Sequence, residues 1–248
     1  MRRERPSPAV VSCSQAEPAR VAGYLLGALL AVPVATPAFA HHPGHDLDEV
    51  MGSKEQFFQA VDQPAPRFTL QDADGRRVSL EDLRGKVVVV HFIYAGCPDV
   101  CPLHAGLIAE VQEMVNRTPM QGMVQFISIT TDPESDTPEV LKAYGPARGL
   151  DPLNWVFLTS GPDRPEDATR RLVERFGHRF GKAEDGYQVH AVVTHVIDQE
   201  GRWRANFHGL RFEPVNLVLY INGLTNESDA SKKPVESSWW DQVKGLFQ

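Results

Sequence analysis

One junction between a strand and a helix constrains the fold of this chain more than any other feature. The stretch KVVVVHFIY (86–94) is an almost unbroken run of β-branched and aromatic residues, typical of a central strand buried on both faces. The stretch CPLHAGLIAEVQEMV (101–115) follows, and Pro102 suits the first turn of a helix. Its apolar residues fall at helical spacing and form a predicted buried stripe: Leu103, Leu107, Ile108, Val111 and Met114. Cys97 and Cys101 therefore stand where a buried strand ends and an amphipathic helix begins.

Strand and helix signals alternate along the rest of the body. The stretch 67–83 alternates around Asp74-Gly75, which predicts a β-hairpin. Further strands are predicted at 124–130, 155–160, 187–198 and 201–207, and further helices at 136–144, 165–177 and 213–224. This order predicts an α/β fold with a mixed central sheet, helices on both faces and an N-terminal β-hairpin.

The first forty residues have the pattern of an export signal. A basic start, MRRER, leads into an uncharged run over 21–40 that ends in Ala-Phe-Ala before His41. The alternative is an uncleaved membrane anchor, although Pro33 and Pro37 interrupt the apolar run. Either interpretation predicts an exported protein, periplasmic or anchored facing the periplasm. The net charge is −7, and the acidic body argues against a nucleic-acid partner.

Two polar segments flank the predicted folded domain, 63–225. The leader, 41–62, is expected to be flexible, and its HHPGH start either captures a metal ion or is simply a polar leader. The tail, 226–248, is a polar linker followed by a short amphipathic stripe over 239–247 that contains two tryptophans. That stripe is interpreted as a helix docking onto the domain, with contact to a membrane or a partner as alternatives.

The spacing of Cys97 and Cys101 leaves three interpretations open. A helix N-terminus stabilises thiolates, which both redox chemistry and metal binding require. A structural disulfide would close a tiny loop and stabilise little. A thiol–disulfide oxidoreductase fits an exported protein, but C-x-x-x-C is one residue longer than the usual motif. A soft-metal site for copper or zinc needs a third ligand, preferably an imidazole from a nearby element.

The histidines supply candidates for that third ligand. His91 is expected to be a core residue within the central strand, and His104 an exposed residue of the following helix rather than part of a local cluster with the cysteines. His190 and His195 share one predicted strand and differ by five positions, so at most one of them faces the dithiol. No pattern supports the remaining two in the body, His178 and His208.

Three ordered motifs give the chain a resemblance to a known family. FIYAGCPDVCP (92–102), ISITTDPESDTPEVLKAY (127–144) and HAVVTHVIDQEGRW (190–203) resemble signatures of the SCO/SenC family of copper-binding, thioredoxin-like proteins. That family assists assembly of the dinuclear copper centre of cytochrome c oxidase. The resemblance covers roughly residues 63–225 and implies a thioredoxin-like fold. It also implies that Cys97, Cys101 and His190 are copper ligands.

The resemblance implies a metallochaperone rather than an enzyme. Two thiolates and an imidazole bind Cu(I), or Cu(II) with an added ligand, and oxidation of the pair to a disulfide abolishes binding. The implied partners are a copper-acceptor subunit of the oxidase and a thiol reductant. The alternative is a thiol–disulfide reductase of the acceptor, with Cys97 as nucleophile and Cys101 as resolving thiol.

A peroxiredoxin-type peroxidase is disfavoured because Tyr94 stands where its threonine would be. Val189 replaces the acid that the family commonly has before its histidine.

Overall fold

A computed structural model describes residues 43–161, 165, 167–179, 181–182, 188–189 and 191–232. Its helices are α1 (Pro43–Lys54), α2 (Val100–Asn116), α3 (Pro138–Tyr144), α4 (Ala168–Arg175) and α5 (Pro214–Lys232). Its strands are β1 (Phe58–Pro64), β2 (Thr69–Asp72), β3 (Arg77–Ser79), β4 (Val87–Ile93), β5 (Val124–Thr130), β6 (Trp155–Thr159), β7 (Gly181–Lys182), β8 (Gln188–Val189), β9 (Val193–Ile197) and β10 (Arg202–His208).

Eight of these strands form one mixed sheet in the order β1-β10-β9-β4-β5-β6-β2-β3. The pairs β4–β5 and β5–β6 are parallel, and the other neighbours are antiparallel. The hairpin predicted around Asp74-Gly75 is the β2–β3 pair at one edge. The predicted fold class, a mixed sheet with helices on both faces, is confirmed.

Two hydrophobic cores lie on opposite faces of the sheet. The face covered by α2, α3 and α5 contains the side chains of Val87, Val89 and Ile93 from β4. The opposite face, covered by α4, contains Val88 and Phe92 from the same strand. All seven residues of β4 are buried, as predicted for a central strand with covered faces.

Residues 41–62 were expected to be a flexible leader, but the part that the structure describes, from residue 43, folds into a helix and a strand. The segment forms α1, which packs on α5, and β1, which pairs with β10 at the sheet edge. Tyr220 donates a hydrogen bond from its hydroxyl to Asp48 at 2.6 Å, and the Glu55 carboxylate accepts one from the Glu213 backbone amide at 3.0 Å. The sequence signal is weak because α1 turns few apolar residues inward, chiefly Leu47 and Met51.

The prediction of one long strand over 187–198 is also wrong. The chain forms two separate strands there, β8 and β9. The partner of β9 in the sheet, β10, ends at His208, which lies opposite Val193. Gly209 then turns the chain away with a φ of +72°, so β9 has no partner residue on β10 before Val193. β8 pairs instead with β7 in a separate two-stranded sheet.

The C-terminal helix α5 extends to Lys232, beyond the predicted boundary at 225. Among the helices that the structure describes, none is both long and apolar enough to cross a bilayer. The predicted export segment and the aromatic stripe over 239–247 lie outside the described residues.

A buried arginine joins the first and last helices to the sheet. Arg204 in β10 has 6% side-chain exposure and donates hydrogen bonds to Asp198 at 3.4 Å and Glu227 at 3.0 Å, and its guanidinium lies 3.8 Å from Asp48. The carboxylates come from α1, α5 and the turn after β9. One cation therefore neutralises three partly or fully buried acids from separate elements.

Buried histidines occupy both faces of the sheet. On the α2 face the rings of His91 and His104 lie 4.9 Å apart, and His91 Nε2 is 3.0 Å from Ser128 Oγ. On the α4 face His178 Nε2 and His195 Nε2 are 2.7 Å apart. Burial, followed by the neighbouring histidines, lowers the pKa of His91 and His195 well below 6.5.

Replacing Arg204 with methionine should lower the free energy of unfolding by about 3 kcal/mol, because buried carboxylates lose their counter-ion. The matched control is Arg202→Met, which removes an exposed ion pair with Asp62 at 2.8 Å and should cost less than about 1 kcal/mol. Urea denaturation of both variants measures the difference. Equal losses would show that the Arg204 cluster contributes no more than a surface pair.

The fold should lose stability as the pH falls below 6.5. His91 and His195 stay neutral in the folded state, whereas the unfolded chain takes up protons near pH 6.5, so their contribution is complete above that pH and lost below it. Two such groups predict a loss of about 2–3 kcal/mol between pH 7.5 and 5.5. Urea denaturation across this range should show about half that dependence for His195→Gln. An unchanged dependence in the variant would contradict this assignment.

Candidate metal centre

The two cysteines lie in the turn between β4 and α2, as the sequence predicts. The Cys97 backbone amide donates to the Tyr94 carbonyl at 3.2 Å, which closes the turn, and α2 begins at Val100. Cys101 is thus in the first turn of the helix. Cys97 is 5% exposed and Cys101 1% exposed, and both thiols are free. The junction places two unbridged thiols at the carboxyl end of the central strand.

The pKa values of the two thiols are shifted in opposite directions. Burial raises the pKa of Cys97, but hydrogen bonds from the Cys101 thiol, the backbone amides of Asp99 and Cys101 and the Tyr94 hydroxyl outweigh it and hold the pKa below 9.0. Burial, the hydrogen bond to Cys97 and the nearby charges raise the pKa of Cys101 far above that value. Cys97 is therefore the thiol that loses its proton first, and Cys101 keeps its own proton and donates it to the Cys97 sulfur.

A buried carboxylate fixes the turn from the opposite side. Both oxygens of Asp136 accept from the Ala95 backbone amide, at 3.2 and 3.1 Å, and one of them also accepts from the Thr130 hydroxyl. Asp136 is 3% exposed, and desolvation raises its pKa. It belongs to the DPESDTPE segment that carries part of the family resemblance. This segment therefore positions the dithiol turn through a long-range hydrogen bond.

The expectation that His104 is exposed is wrong. His104 is 2% exposed, and its Nε2 is 2.8 Å from Thr194 Oγ1 in β9. The sequence pattern assigned Leu103 to the buried stripe, but Leu103 is 61% exposed because α2 is rotated by about one residue. His91 lies in the core, as predicted.

His178, which had no supporting pattern, lies next to His195 on the α4 face of the sheet. His195 Nδ1 is 2.7 Å from Asn206 Oδ1 on β10. The available sequence signal was weak: His195 and Asn206 are polar residues that lie opposite each other in the paired strands β9 and β10. His208 is exposed and bonds to Gln59 at 2.9 Å.

The implied third ligand, His190, lies outside the described residues, as do His41 and His42. The register of β4 and β9 nevertheless constrains the chain around it. His91 is opposite Thr194 in an antiparallel pair, so Ala191 and Val192 enter β9 at the end of the sheet where β4 gives way to the dithiol turn. Within the part of the chain that the structure describes, no three His, Cys, Asp or Glu side chains form a metal-binding group.

The arrangement supports two kinds of chemistry. The adjacent thiols can close to a disulfide with loss of two electrons and two protons, or bind a soft metal after deprotonation. Hydrogen-bond donors around Cys97 favour the thiolate in both cases. Only the metal site needs a further ligand from another element.

Comparisons with known proteins identify relatives of the chain. The SCO1/SenC family model matches residues 56–221. An SCO1 protein homolog of Bacillus subtilis (strain 168) is 28% identical over 158 residues, which are 61% of this chain and 77% of the relative. An SCO1/SenC family lipoprotein from Bacillus anthracis is 27% identical with a TM-score of 0.61, covering 67% of this chain and 97% of that structure.

A copper-bound ScoI from Bradyrhizobium japonicum is also 27% identical, with a TM-score of 0.54 over 65% of this chain and 99% of that structure. These structural matches agree with the thioredoxin-like fold implied by the three sequence motifs. The family model covers most of the chain, including the dithiol turn and the DPESDTPE segment. The chain belongs to the SCO1/SenC family.

Proposed function

We propose that this chain is an exported copper metallochaperone that carries copper as cargo and delivers it during assembly of the dinuclear copper centre of cytochrome c oxidase. The ligands are the Cys97 and Cys101 sulfurs and the His190 imidazole. The observation that carries the proposal is the hydrogen-bonded, unbridged dithiol at the start of α2. Family membership and the copper bound by the ScoI relative support the choice of metal.

The donor set suits copper. Thiolates are soft ligands, and an imidazole completes a trigonal set for Cu(I). Metal binding must displace the proton held by Cys101, so loading releases protons and becomes more favourable as the pH rises. The backbone amides around Cys97 remain in place throughout and stabilise its negative charge.

The oxidation state of the pair controls loading. When Cys97 and Cys101 form a disulfide, two electrons and two protons leave, and neither sulfur remains available as a thiolate ligand. A thiol reductant must return them before copper binds. Delivery then proceeds by ligand exchange: a thiolate of the acceptor approaches over the exposed Pro98 and Asp99, beside the less buried Cys97.

The organisation of the chain fits export. We propose that residues 1–40 act as a signal peptide or membrane anchor, and that the copper-binding domain predicted over 63–225 also includes α1, β1 and the end of α5. The 239–247 stripe remains a candidate for docking onto the domain or for membrane contact. The lipoprotein relative supports attachment to a membrane.

A second function is favoured by one specific observation, the opposite pKa shifts of the two thiols. A low-pKa, more accessible Cys97 beside a protonated Cys101 is the arrangement of a nucleophile and a resolving thiol. The chain would then reduce cysteines of the copper acceptor. His190 has no role in that reaction, which makes it the residue that separates the two functions.

Reduced protein titrated anaerobically with Cu(II) should bind one equivalent and develop a thiolate-to-copper band in the visible spectrum. The band should disappear in Cys97→Ser and Cys101→Ser, and His190→Ala should lose it or hold copper at least tenfold more weakly, because one of three ligands is gone. If copper merely oxidises the thiols, and His190→Ala behaves as the parent does, the chaperone proposal is wrong and the reductase remains.

Limited alkylation of the reduced protein by iodoacetamide at pH 7.5 should modify Cys97 at least about tenfold faster than Cys101, because the thiolate is the reacting form. Peptide mapping by mass spectrometry measures the two rates. Unfolded protein in urea is the control and should show nearly equal rates. Faster modification of Cys101 in the folded protein would contradict the assigned order of the thiols.

A further inference from the structure

The imidazole pair on the α4 face takes no part in the dithiol chemistry, yet it joins two points of the chain on either side of His190. His178 follows α4 at a defined turn. Gly177 has a φ of +78°, its amide donates to the Glu174 carbonyl at 2.9 Å, and the His178 amide donates to the Val173 carbonyl at 3.2 Å. This pair of bonds is a Schellman motif, which ends the helix and fixes the direction of the residue after glycine.

The hydrogen bonds around the pair determine where its protons are. Trp203 Nε1 donates to Asn206 Oδ1 at 2.8 Å, and Asn206 Nδ2 donates to Gln59 at 3.0 Å, so Asn206 Oδ1 faces His195 as an acceptor. His195 Nδ1 then donates to that oxygen at 2.7 Å. The remaining nitrogen, His195 Nε2, accepts from His178 Nε2 at 2.7 Å. The pair is a directed hydrogen bond from His178 to His195.

Aromatic side chains enclose this bond. The His195 ring lies 4.7 Å from Phe176 and 5.2 Å from Trp203, and Phe92 packs within 5.5 Å of His178 and 5.7 Å of His195. His178 is 6% exposed and His195 1% exposed. In such surroundings water does not compete for the hydrogen bond, and breaking it leaves a buried polar group unpaired. The contact is therefore a stable link between α4 and β9.

We propose that His178 and His195 are positioning residues that anchor both ends of the segment carrying His190, and so slow the release of copper. The inference rests on the proposed function. The two histidines are 17 residues apart, and between them the chain forms the β7–β8 ladder. The last residue of this ladder, Val189, directly precedes His190. Fixing the ends of a segment lowers the entropy that its residues lose when one of them becomes a ligand.

The test uses a double variant, His178→Leu with His195→Leu, in the full-length reduced protein. Removing both partners together leaves no unpaired imidazole, so the melting temperature should stay close to the parent value. Cu(II) should leave the variant for a competing chelator about tenfold faster, the loss expected for one buried hydrogen bond, and the thiolate-to-copper band should shift.

The matched control is His208→Gln, which alters an exposed histidine of β10 and should leave rate and band unchanged. If the double variant fails to fold, His178→Leu, which retains the His195–Asn206 bond, should show the same faster release and band shift, with a lower melting temperature because His195 Nε2 loses its donor.

A second readout does not depend on copper. Trypsin can cut after Arg179 and Lys182 inside the anchored segment, and both cuts should be faster in the metal-free double variant. A parent protein that forms no thiolate-to-copper band overturns the proposed function, and the inference with it. A parent that binds copper, beside a folded double variant with the parental release rate and band, overturns only the inference. Faster cleavage with unchanged release also contradicts it, because the anchor then has no effect on the metal.

Discussion

The burial of β4 between β9 and β5 is the constraint on which the rest of the structure depends. All seven of its residues are enclosed, and the strand pairs in parallel with β5 and antiparallel with β9. The chain can leave such a strand only at its ends, so the dithiol turn is fixed at the carboxyl end. Ala191 and Val192, which lead into β9, and the Asp136 carboxylate from beyond β5 lie at that same end.

Strong local patterns made much of this fold predictable. β5 spans the predicted residues, and α3 lies within the predicted range 136–144. Pro138 is in its first turn, and the Thr137 hydroxyl accepts from the Val140 amide at 3.5 Å. These elements are specified by buried β-branched runs and by cap residues, which act within a few positions. The dithiol was predictable for the same reason, since both cysteines belong to one strand–helix junction.

The features that were missed depend on contacts distant in sequence. Residues 43–62 are polar, and α1 and β1 exist because α5 and β10 provide partners for them. The end of β9 is set by the end of β10, which no pattern within 187–198 contains. His104 was expected to be exposed because Leu103 fits an apolar stripe equally well. The rotation of α2 that buries His104 beside Thr194 depends on packing against the sheet, which the local sequence does not contain.

The two thiols alone do not distinguish metal transport from thiol exchange, because both processes use the same lowered pKa at a helix N-terminus. The distinction must come from what other elements bring to this end of the sheet. The proposed reductase reaction does not use the segment before β9. Burying two imidazoles there costs free energy, although Phe176 and Trp203 already provide apolar packing at this place. The hydrogen-bonded pair therefore fits the proposed anchoring of the chain between the two histidines, which contains His190.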